Sequence, residues 1–331
     1  MITVENLTKS FRSTSGAVVA LDDVSLDVQA GVIAGVVGPS GSGKSTLARV
    51  LALRERPDSG VVRLDGLNTA ALDQRSLRVA RARIGVVPAG ESLLAQRTAA
   101  GNIALPLEQA GVDGPRRREK VGRLLDLIGL TDKAAAHPDQ LTAGQRQRIA
   151  IARALVGEPA VVLADDPTAG LDATGAAGVL AVLDRARAEL GATVLVATQD
   201  ANVVRKIADD VAIMEDGRVV EQGKLLDLVR DPDSRVAHSV LPAIDAAAPG
   251  VADVVLVGFA SIGALLPEAA SRFGGEITVA GGGVTRIGET PVARFRLGIA
   301  GDRIDATLGW LTERGAYVQR ALAGRLAVAA A

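Results

Sequence analysis

The first half of the chain contains two kinds of strand pattern. Residues 2–4 and 18–28 alternate apolar and polar positions, which is typical of strands with one solvated face. Residues 32–37 and 160–164 are continuous apolar runs, which favour strands buried on both faces of a parallel sheet. Helix-like segments separate these strands. The pattern therefore predicts an α/β core.

Helical periodicity dominates between the strand at 84–87 and the apolar run at 160–164. One segment carries a one-sided apolar stripe with the spacing i, i+3, i+4, i+7. Its members are Val121, Leu124, Leu125 and Ile128. Helices inserted into an α/β core predict a helical subdomain, which we place at about residues 88–156.

The last part of the chain repeats neither pattern. Proline residues and an alanine run between 231 and 250 indicate a boundary linker. Strand and helix patterns then follow in the order β-α-β-β-α-β, with a glycine-rich turn expected after the second strand, and this order predicts a ferredoxin-like sandwich. The expected elements are strands at 253–258, 276–281, 291–299 and 316–319 and helices at 265–273 and 303–314. We expect domains at 1–240 and 253–331, joined by a linker at 241–252.

The composition excludes several classes of site. The 331-residue chain has no cysteine, which excludes disulfides, thiolate metal sites and cysteine nucleophiles. Its 37 Lys and Arg residues against 38 Asp and Glu residues give a net charge of -1, so no overall charge favours nucleic acid. There is no basic leader followed by an apolar block, and no uncharged run is long enough to span a bilayer. We expect a soluble intracellular protein, for which a partner would supply any membrane part.

The sharpest motif follows the apolar run at 32–37 and opens a helix. It has the strand, G-x-x-x-x-G-K-[ST], helix order of a phosphate-binding loop. Backbone amides of such a loop cradle phosphate oxygens, the lysine reaches the β- and γ-phosphates, and the hydroxyl after it ligates Mg²⁺. The sequence therefore predicts a nucleoside triphosphate site. Its residues are Gly38, Pro39, Ser40, Gly41, Ser42, Gly43, Lys44, Ser45 and Thr46.

Two carboxylates and one aromatic ring complete the predicted triphosphate site. Asp165 and Asp166 end the apolar run at 160–164, and the carboxyl ends of parallel strands are where α/β proteins bind ligands. One carboxylate can orient the Mg²⁺ shell, together with Ser45, while the other faces the attacking water. Phe11 precedes the strands that lead to the loop. It is either a core residue or a ring that stacks on a base.

In order and spacing, these motifs resemble those of the ATP-binding subunits of ABC transporters over residues 1–240. The phosphate loop matches the family's Walker A loop, and Asp165-Asp166-Pro167-Thr168 its Walker B strand end. Asp172 matches the D-loop position, and the strand at 193–198 precedes the switch position. The signature motif corresponds to Leu141, Thr142, Ala143, Gly144 and Gln145. The resemblance implies a P-loop NTPase fold of ABC type, with a mixed sheet and a helical subdomain.

The resemblance also implies partners and roles. ATP would be clamped between the Walker A loop of one subunit and the signature of another, in a homodimer or a heterodimer with another ABC ATPase. Phe11 would stack on the adenine base. Dimer closure would drive an integral membrane permease, docked near the Ala89 loop and the segment 97–107. The protein would then lie at the cytoplasmic face of a bacterial membrane and bind no nucleic acid.

Four positions depart from the family pattern. Ala89 stands where the family has a glutamine, and Asp166 where it has a glutamate. Gln199 replaces the switch histidine, and Ala143 the first glycine of the signature. General-base catalysis needs hydrogen-bond reach to the water, so a shorter base costs rate. These departures predict tight binding of MgATP with weak or conditional hydrolysis.

The tail narrows the resemblance further. A cassette followed by a βαββαβ domain resembles the ATPase subunits of bacterial methionine importers, whose C-terminal NIL domain binds methionine and inhibits transport. The resemblance implies that the strand at 276–281 and the paired tail domains form a site for a small amino acid such as methionine. Two functions stay open: an importer subunit with a substrate-sensing tail, and an ATP-gated regulatory or scaffolding subunit with little hydrolysis.

Overall fold

The fold is taken from a computed structural model, which describes residues 2–13, 16–69, 72–90, 92–245, 248–261 and 263–320. The described residues up to Gln222 form one compact unit and those from Gly223 onward form another. Within the described ranges, no helix combines the length and the apolar character needed to cross a bilayer.

The first unit begins with a four-stranded sheet of order β2-β1-β4-β5, in which each neighbouring pair is antiparallel. Its strands alternate buried and exposed positions as the sequence predicts, because one face packs on the core and the other meets solvent. β1 is longer than the predicted strand at 2–4, and Phe11 lies near its end, where it pairs with Val18 of β2. The strands are β1 (Ile2–Ser13), β2 (Gly16–Val28), β4 (Ser59–Leu64) and β5 (Leu67–Asn68).

A six-stranded sheet of order β10-β9-β3-β8-β7-β6 forms the centre of the first unit. The neighbours from β9 to β6 pair in parallel, and β3 and β8 are buried along their whole length. Parallel pairing brings the carboxyl ends of these strands to one edge. The strands are β3 (Ile33–Val37), β6 (Ile84–Val87), β7 (Val161–Asp165), β8 (Thr193–Thr198), β9 (Asp210–Glu215) and β10 (Arg218–Lys224).

Among the described residues of the first unit, seven α-helices accompany these sheets. The predicted stripe on α4 is confirmed, since Val121, Leu124, Leu125 and Ile128 are all buried. These side chains join α3, α4 and α5 in one core with the central sheet, so the inserted helices form the helical part of the unit. The helices are α1 (Lys44–Leu51), α2 (Gln74–Ala82), α3 (Ala99–Gln109), α4 (Gly114–Leu127), α5 (Ala143–Leu155), α6 (Ala173–Leu190) and α7 (Ala201–Ile207).

The second unit contains an antiparallel sheet of order β12-β13-β11-β14 with α10 and α11 between its strands in sequence. This is the βαββαβ arrangement of a ferredoxin-like sandwich, as the sequence predicts. The elements are α8 (Leu225–Leu228), α9 (Arg235–Val240), β11 (Ala252–Val257), α10 (Leu265–Phe273), β12 (Ile277–Ile287), β13 (Thr290–Ile299), α11 (Ile304–Glu313) and β14 (Tyr317–Arg320).

The glycine-rich segment at 281–283 differs from its predicted turn, because it is the middle of β12. Gly282 has φ 94° and a side chain there would lie 1.9 Å from the Arg294 carbonyl oxygen, so this position requires glycine. The pairing register shifts between Val279 and Gly281, as in a β-bulge. Glycine therefore permits a bulge inside a strand here, and the chain reverses later.

The segment at 231–250 is more ordered than the boundary linker that its composition predicts. It contains α9, and its described part packs on the tail sheet: Pro242 approaches Gly283 and Ile244 approaches Gly281. The side chain of His238 lies 3.0 Å from that of Arg294. The sheet face without helices needs a cover, and this segment supplies it. The domain bounds 1–240 and 253–331 stay a prediction, and residues 246, 247 and 321–331 lie outside the described residues.

Candidate ATP site

The phosphate loop connects β3, near the centre of the parallel sheet, to α1. Gly41 and Gly43 have φ 83° and 100°, backbone conformations that favour glycine. α1 starts at Lys44, and no side chain among the described residues caps its N-terminus. The amides of the first helical turn are therefore open to an acceptor, which is the arrangement that binds phosphate at helix N-termini.

Two glycines allow the loop to lie directly on neighbouring backbone. A side chain at Gly38 would come within 2.1 Å of the Met214 carbonyl oxygen. One at Gly43 would come within 2.4 Å of the Ala20 carbonyl oxygen. Real side chains do not approach backbone so closely, so both positions require glycine for packing. The strands β2 and β9 thus support the loop from behind.

Lys44 spans the loop. Its Nζ donates to the carbonyl oxygens of Gly38 and Pro39, both at 2.7 Å, and to Ser42 Oγ at 3.3 Å. Burial lowers the pKa of Lys44, and the charges of Asp166 and Asp165 act against that lowering. The ammonium group is therefore held over the loop, with two carboxylates beyond it.

Ser45 and Asp165 meet where the resemblance implies Mg²⁺. Ser45 Oγ donates to Asp165 Oδ1 at 3.2 Å, across 120 residues of sequence. Burial raises the pKa of Asp165, with a further rise from Asp166 and a lowering by the Ser45 hydrogen bond. Among the described residues no group of three or more His, Cys, Asp or Glu side chains could hold a metal. One hydroxyl and one carboxylate fit Mg²⁺, which takes few protein ligands and completes its shell with phosphates and water.

Asp166 lies at the end of β7, and its neighbours come from β8. Its N–H donates to the Ala197 carbonyl oxygen at 2.7 Å, and its Oδ1 accepts from Thr198 Oγ1 at 3.0 Å. Gln199 follows Thr198 and is exposed. Since β7 and β8 flank β3 on one side, the structure brings Asp165, Asp166 and Gln199 to the same edge as the phosphate loop.

Ala89 follows β6 at that edge and is exposed, with no polar group in its side chain. The loop after it is organised by two residues that sequence reasoning missed. Asn102 is fully buried and bonds to both the N–H and the carbonyl oxygen of Leu94. Arg153 bonds to the carbonyl oxygen and the hydroxyl of Ser92 at 2.8 and 2.9 Å. An amide side chain within an apolar helical segment was the available signal for Asn102.

The signature segment forms the start of α5. Thr142 caps the helix: its Oγ1 accepts from the Gln145 N–H at 3.2 Å, and its own N–H donates to Gln145 Oε1 at 2.9 Å. The hydrogen of the Thr142 hydroxyl is not used by this capping box. Ala143 is exposed beside it. The signature therefore presents a hydroxyl and a methyl group at a helix N-terminus.

The signature and the D-loop lie together. A side chain at Gly144 would come within 2.8 Å of Gly175 Cα, so α5 and α6 approach closely here. Asp172 caps α6 by accepting from the Gly175 N–H at 2.7 Å. Within the described residues, no hydrogen bond or ion pair joins Thr142 or Gln145 to the phosphate loop of the same chain. The structure thus brings the signature to the D-loop and not to its own loop.

Phe11 is half-buried on β1, and two cationic side chains approach its ring. Lys9 Nζ and the Arg49 guanidinium lie 5.3 and 5.8 Å from the ring centroid. Val18 of β2 is opposite Phe11 in the strand register and is 54% exposed. Sequence reasoning missed Val18, since alternation alone does not identify the strand partner. Together these two side chains offer an apolar surface beside the loop.

Comparison with known proteins agrees with this geometry. The family profile for ABC transporters matches residues 21–169, and the profile for the NIL domain matches residues 251–320. A protein named methionine import ATP-binding protein MetN from Thermobifida fusca (strain YX) is 43% identical over 319 residues, which cover 96% of this chain and 99% of that relative. The chain belongs to the MetN family of ABC transporter ATPases. A MetN protein from Streptomyces avermitilis is 40% identical and covers 96% of the chain and 95% of that relative.

Solved cassettes place the MetN-family chain among ATP-binding proteins. A dimeric, post-hydrolysis state of the ATP-binding cassette MJ0796 bound to ADP and Pi has a TM-score of 0.62 and 34% identity. A second dimeric structure of MJ0796, described as a bacterial ABC transporter cassette, has a TM-score of 0.62 and 35% identity. Each covers 68% of this chain and 98% of the solved one. The chain is therefore an ATP-binding cassette ATPase of ABC fold followed by a NIL domain.

Proposed function

We propose that the chain is the ATP-binding, energy-coupling subunit of an importer for methionine or a related amino acid. The observation that carries this proposal is a likeness over both parts of the chain. A relative named for methionine import aligns at 43% identity with 96% of the chain, cassette and NIL domain together. The subunit would act at the cytoplasmic face of a membrane, bound to a permease.

The first test is co-purification followed by transport. The tagged full chain, expressed in its own host and solubilised with mild detergent, should retain a multi-span membrane protein. Vesicles that contain this complex and ATP should take up labelled methionine. The Lys44→Ala complex should retain the permease and lose uptake. Absence of any membrane protein, or uptake that does not depend on ATP, would contradict the proposal.

ATP would be held between the phosphate-loop side of one subunit and the signature segment of another. The phosphate loop and the start of α1 would cradle the phosphates, with Lys44 beside the γ-phosphate, and Phe11 would stack on the base. Ser45 and Asp165 would hold Mg²⁺, which when bound neutralises phosphate charge. Thr142 and Ala143 would meet the γ-phosphate of ATP bound to a second subunit. Two chains would thus form two composite sites, in a homodimer or with another cassette.

Hydrolysis would be weak or conditional. Asp166 would accept a proton from the water that attacks the γ-phosphorus, while the bond to the β,γ-bridging oxygen breaks and ADP leaves. The Asp166 carboxylate is one methylene shorter than a glutamate, and an error of about 1 Å can cost about a hundredfold in rate. Gln199 can donate a hydrogen bond to phosphate but carries no positive charge. Ala89 offers no ligand toward metal or water.

The corresponding test restores the longer base and the imidazole. Asp166→Glu combined with Gln199→His should raise steady-state ATP turnover by about tenfold or more, since general bases contribute about 10² to 10⁴ in rate. ATP affinity should stay within about twofold, because the phosphate loop is untouched. A parent chain that already turns over as fast as the double variant would show that hydrolysis is unimpaired.

The permease would dock on the helical side of the cassette. A groove of about 750 Å³ lies between β6 and α3. Its lining includes Val86 from the strand, Leu105 and Pro106 from the helix, and the cationic side chain of Arg81. The Ala89 loop follows β6 directly, so a helix seated in this groove would press on the edge of the sheet that carries the ATP site.

The tail would sense the imported amino acid. β12 is an edge strand, and Val279 and Val284 on it are 52% and 56% exposed. Exposed edge strands favour pairing with another chain, which supports a site built from two tail domains. Calorimetry of the full chain should detect methionine in the micromolar to millimolar range and no lysine at the same concentrations. Absence of heat with methionine at millimolar concentration would remove this assignment.

A second function is an ATP-gated regulatory or scaffolding subunit. The exposed Ala89 and Gln199 and the short Asp166 favour it, because they leave binding intact and weaken hydrolysis. In this case ATP would drive dimerisation, and uptake by a bound permease would not exceed that of the permease with the Asp166→Ala chain.

A further inference from the structure

The hydroxyl of Thr198 has only one arrangement open to it. Thr198 ends β8 and is 1% exposed. Its Oγ1 accepts from the Asp200 N–H at 3.1 Å, and an N–H can only donate. The single hydroxyl hydrogen therefore serves the remaining contact, the 3.0 Å hydrogen bond to Asp166 Oδ1. Both partners of the hydroxyl thus fix its direction.

This hydrogen bond restricts the orientation of the Asp166 side chain. The Asp166 backbone is already held in a left-handed conformation, with φ 44°, by its N–H contact with Ala197. With Oδ1 bound to Thr198, the second carboxylate oxygen stays available for water. The Asp166 side chain is one methylene shorter than that of a glutamate, so it has fewer rotatable bonds with which to approach a water molecule. Its rate of proton transfer therefore depends strongly on the orientation of the carboxylate.

The same hydroxyl connects the base to the switch position. Gln199 lies between Thr198, which is bound to Asp166, and Asp200, which caps α7 through the Asn202 N–H at 2.8 Å. The backbone on both sides of Gln199 is therefore anchored. A movement of the loop that carries Gln199 would therefore shift the Asp166 carboxylate through its hydrogen bond to Thr198.

We infer that Thr198 is a positioning residue for hydrolysis, which orients the Asp166 carboxylate and couples it to the loop that carries Gln199. This inference rests on the proposed role of Asp166 as the base. Thr198 does not touch ATP; it acts through the carboxylate. An alternative role is structural, in which the hydroxyl only closes the turn between β8 and α7.

The test compares matched hydroxyl deletions on one strand. Thr198→Val removes the hydroxyl with little change in shape and should lower kcat for ATP about tenfold, with KM for ATP and nucleotide affinity within about twofold. Thr198→Ser should stay within about threefold of the parent. The control is Thr193→Val at the other end of β8, where a 2% exposed threonine accepts from the Gly31 N–H at 3.0 Å. It should lower the melting temperature and leave kcat unchanged.

A double-mutant cycle separates positioning from structure. In an Asp166→Ala background, Thr198→Val should cause no further loss of kcat, since no carboxylate remains to be oriented. An equal tenfold loss in both backgrounds, or an unchanged kcat in Thr198→Val alone, would overturn the inference. If Asp166→Ala itself leaves the rate unchanged, the proposed base is wrong, which is a different failure. Melting curves of each variant identify loss of folded protein.

Discussion

The phosphate loop is residues 38–46, and the proposed hydrolysis edge consists of Ala89, Asp166 and Gln199. Both lie at the carboxyl ends of strands in one sheet, but different contacts hold them. The loop rests on backbone, as the close approach of Gly38 to Met214 shows. At the hydrolysis edge, side-chain hydrogen bonds add to backbone ones, as in the contact between Thr198 and Asp166. Backbone contacts tolerate no substitution at the glycines, whereas side-chain contacts allow changes in length and charge. We therefore expect substitutions in the loop to cost more than substitutions at this edge.

The largest expected effect breaks the binding side. Lys44→Ala removes the ammonium group that lies over the loop, where its Nζ bonds to the Gly38 and Pro39 carbonyl oxygens at 2.7 Å. In the proposed ATP complex this group would bond to phosphate oxygens, and hydrogen bonds to charged groups contribute about 1.5–3 kcal/mol each, so ATP affinity should fall by about a hundredfold or more. A fluorescent ATP analogue would measure this. Lys133→Ala, on an exposed pair with Asp132, is the control and should bind normally.

The second prediction concerns two glycines with opposite surroundings. Gly43→Ala places a side chain 2.4 Å from the Ala20 carbonyl oxygen at φ 100°, and should lower the free energy of unfolding by about 2–4 kcal/mol. Gly122→Ala, in the exposed interior of α4 with nothing within 4 Å, should raise it by about 1 kcal/mol. Urea unfolding compares the two. Equal effects would mean that backbone contact does not define the loop.

The third prediction concerns the contribution of the adenine base to ATP binding. Phe11→Ala removes the ring that faces Val18, and stacking of a base on an aromatic ring contributes about 1–3 kcal/mol. ATP should bind about tenfold more weakly, while inorganic triphosphate should bind as before. Phe11→Tyr serves as the control. A matching loss for both ligands would assign Phe11 to the core.

The smallest expected effect is on the free energy of unfolding and comes from Asp165, which lies between the phosphate loop and Asp166. Burial raises the pKa of Asp165, so its carboxylate costs stability at neutral pH and that cost disappears below its unfolded pKa near 3.8. Asp165→Asn should therefore raise the free energy of unfolding at pH 7, and with it the melting temperature. The gain should be less than about 1 kcal/mol, because the carboxylate is partly solvated. The gain should shrink as pH falls through the raised pKa toward 4. A gain independent of pH would point to packing.

Most parts of the candidate ATP site could be located from the sequence, because they are local motifs or follow strands. The phosphate loop is nine consecutive residues between a strand and a helix, and Asp165 ends the next buried apolar run. Thr198, Asn102 and Arg153 were missed. Thr198 contacts a residue 32 positions away, and Arg153 contacts one 61 positions away. Periodicity identifies the buried face of an element and not the partner that it meets.

The sequence by itself determined the order of the elements, the phosphate loop and the two-part organisation, since these depend on torsions and apolar spacing within short stretches. The tertiary structure alone decided three other features. They are the contact between Thr198 and Asp166, the close approach of Gly144 to Gly175, and the packing of the described part of the segment 231–250 on the tail sheet. The physical reason is the same in each case: these contacts join residues whose distance depends on how strands and helices pack, and no local pattern records that distance.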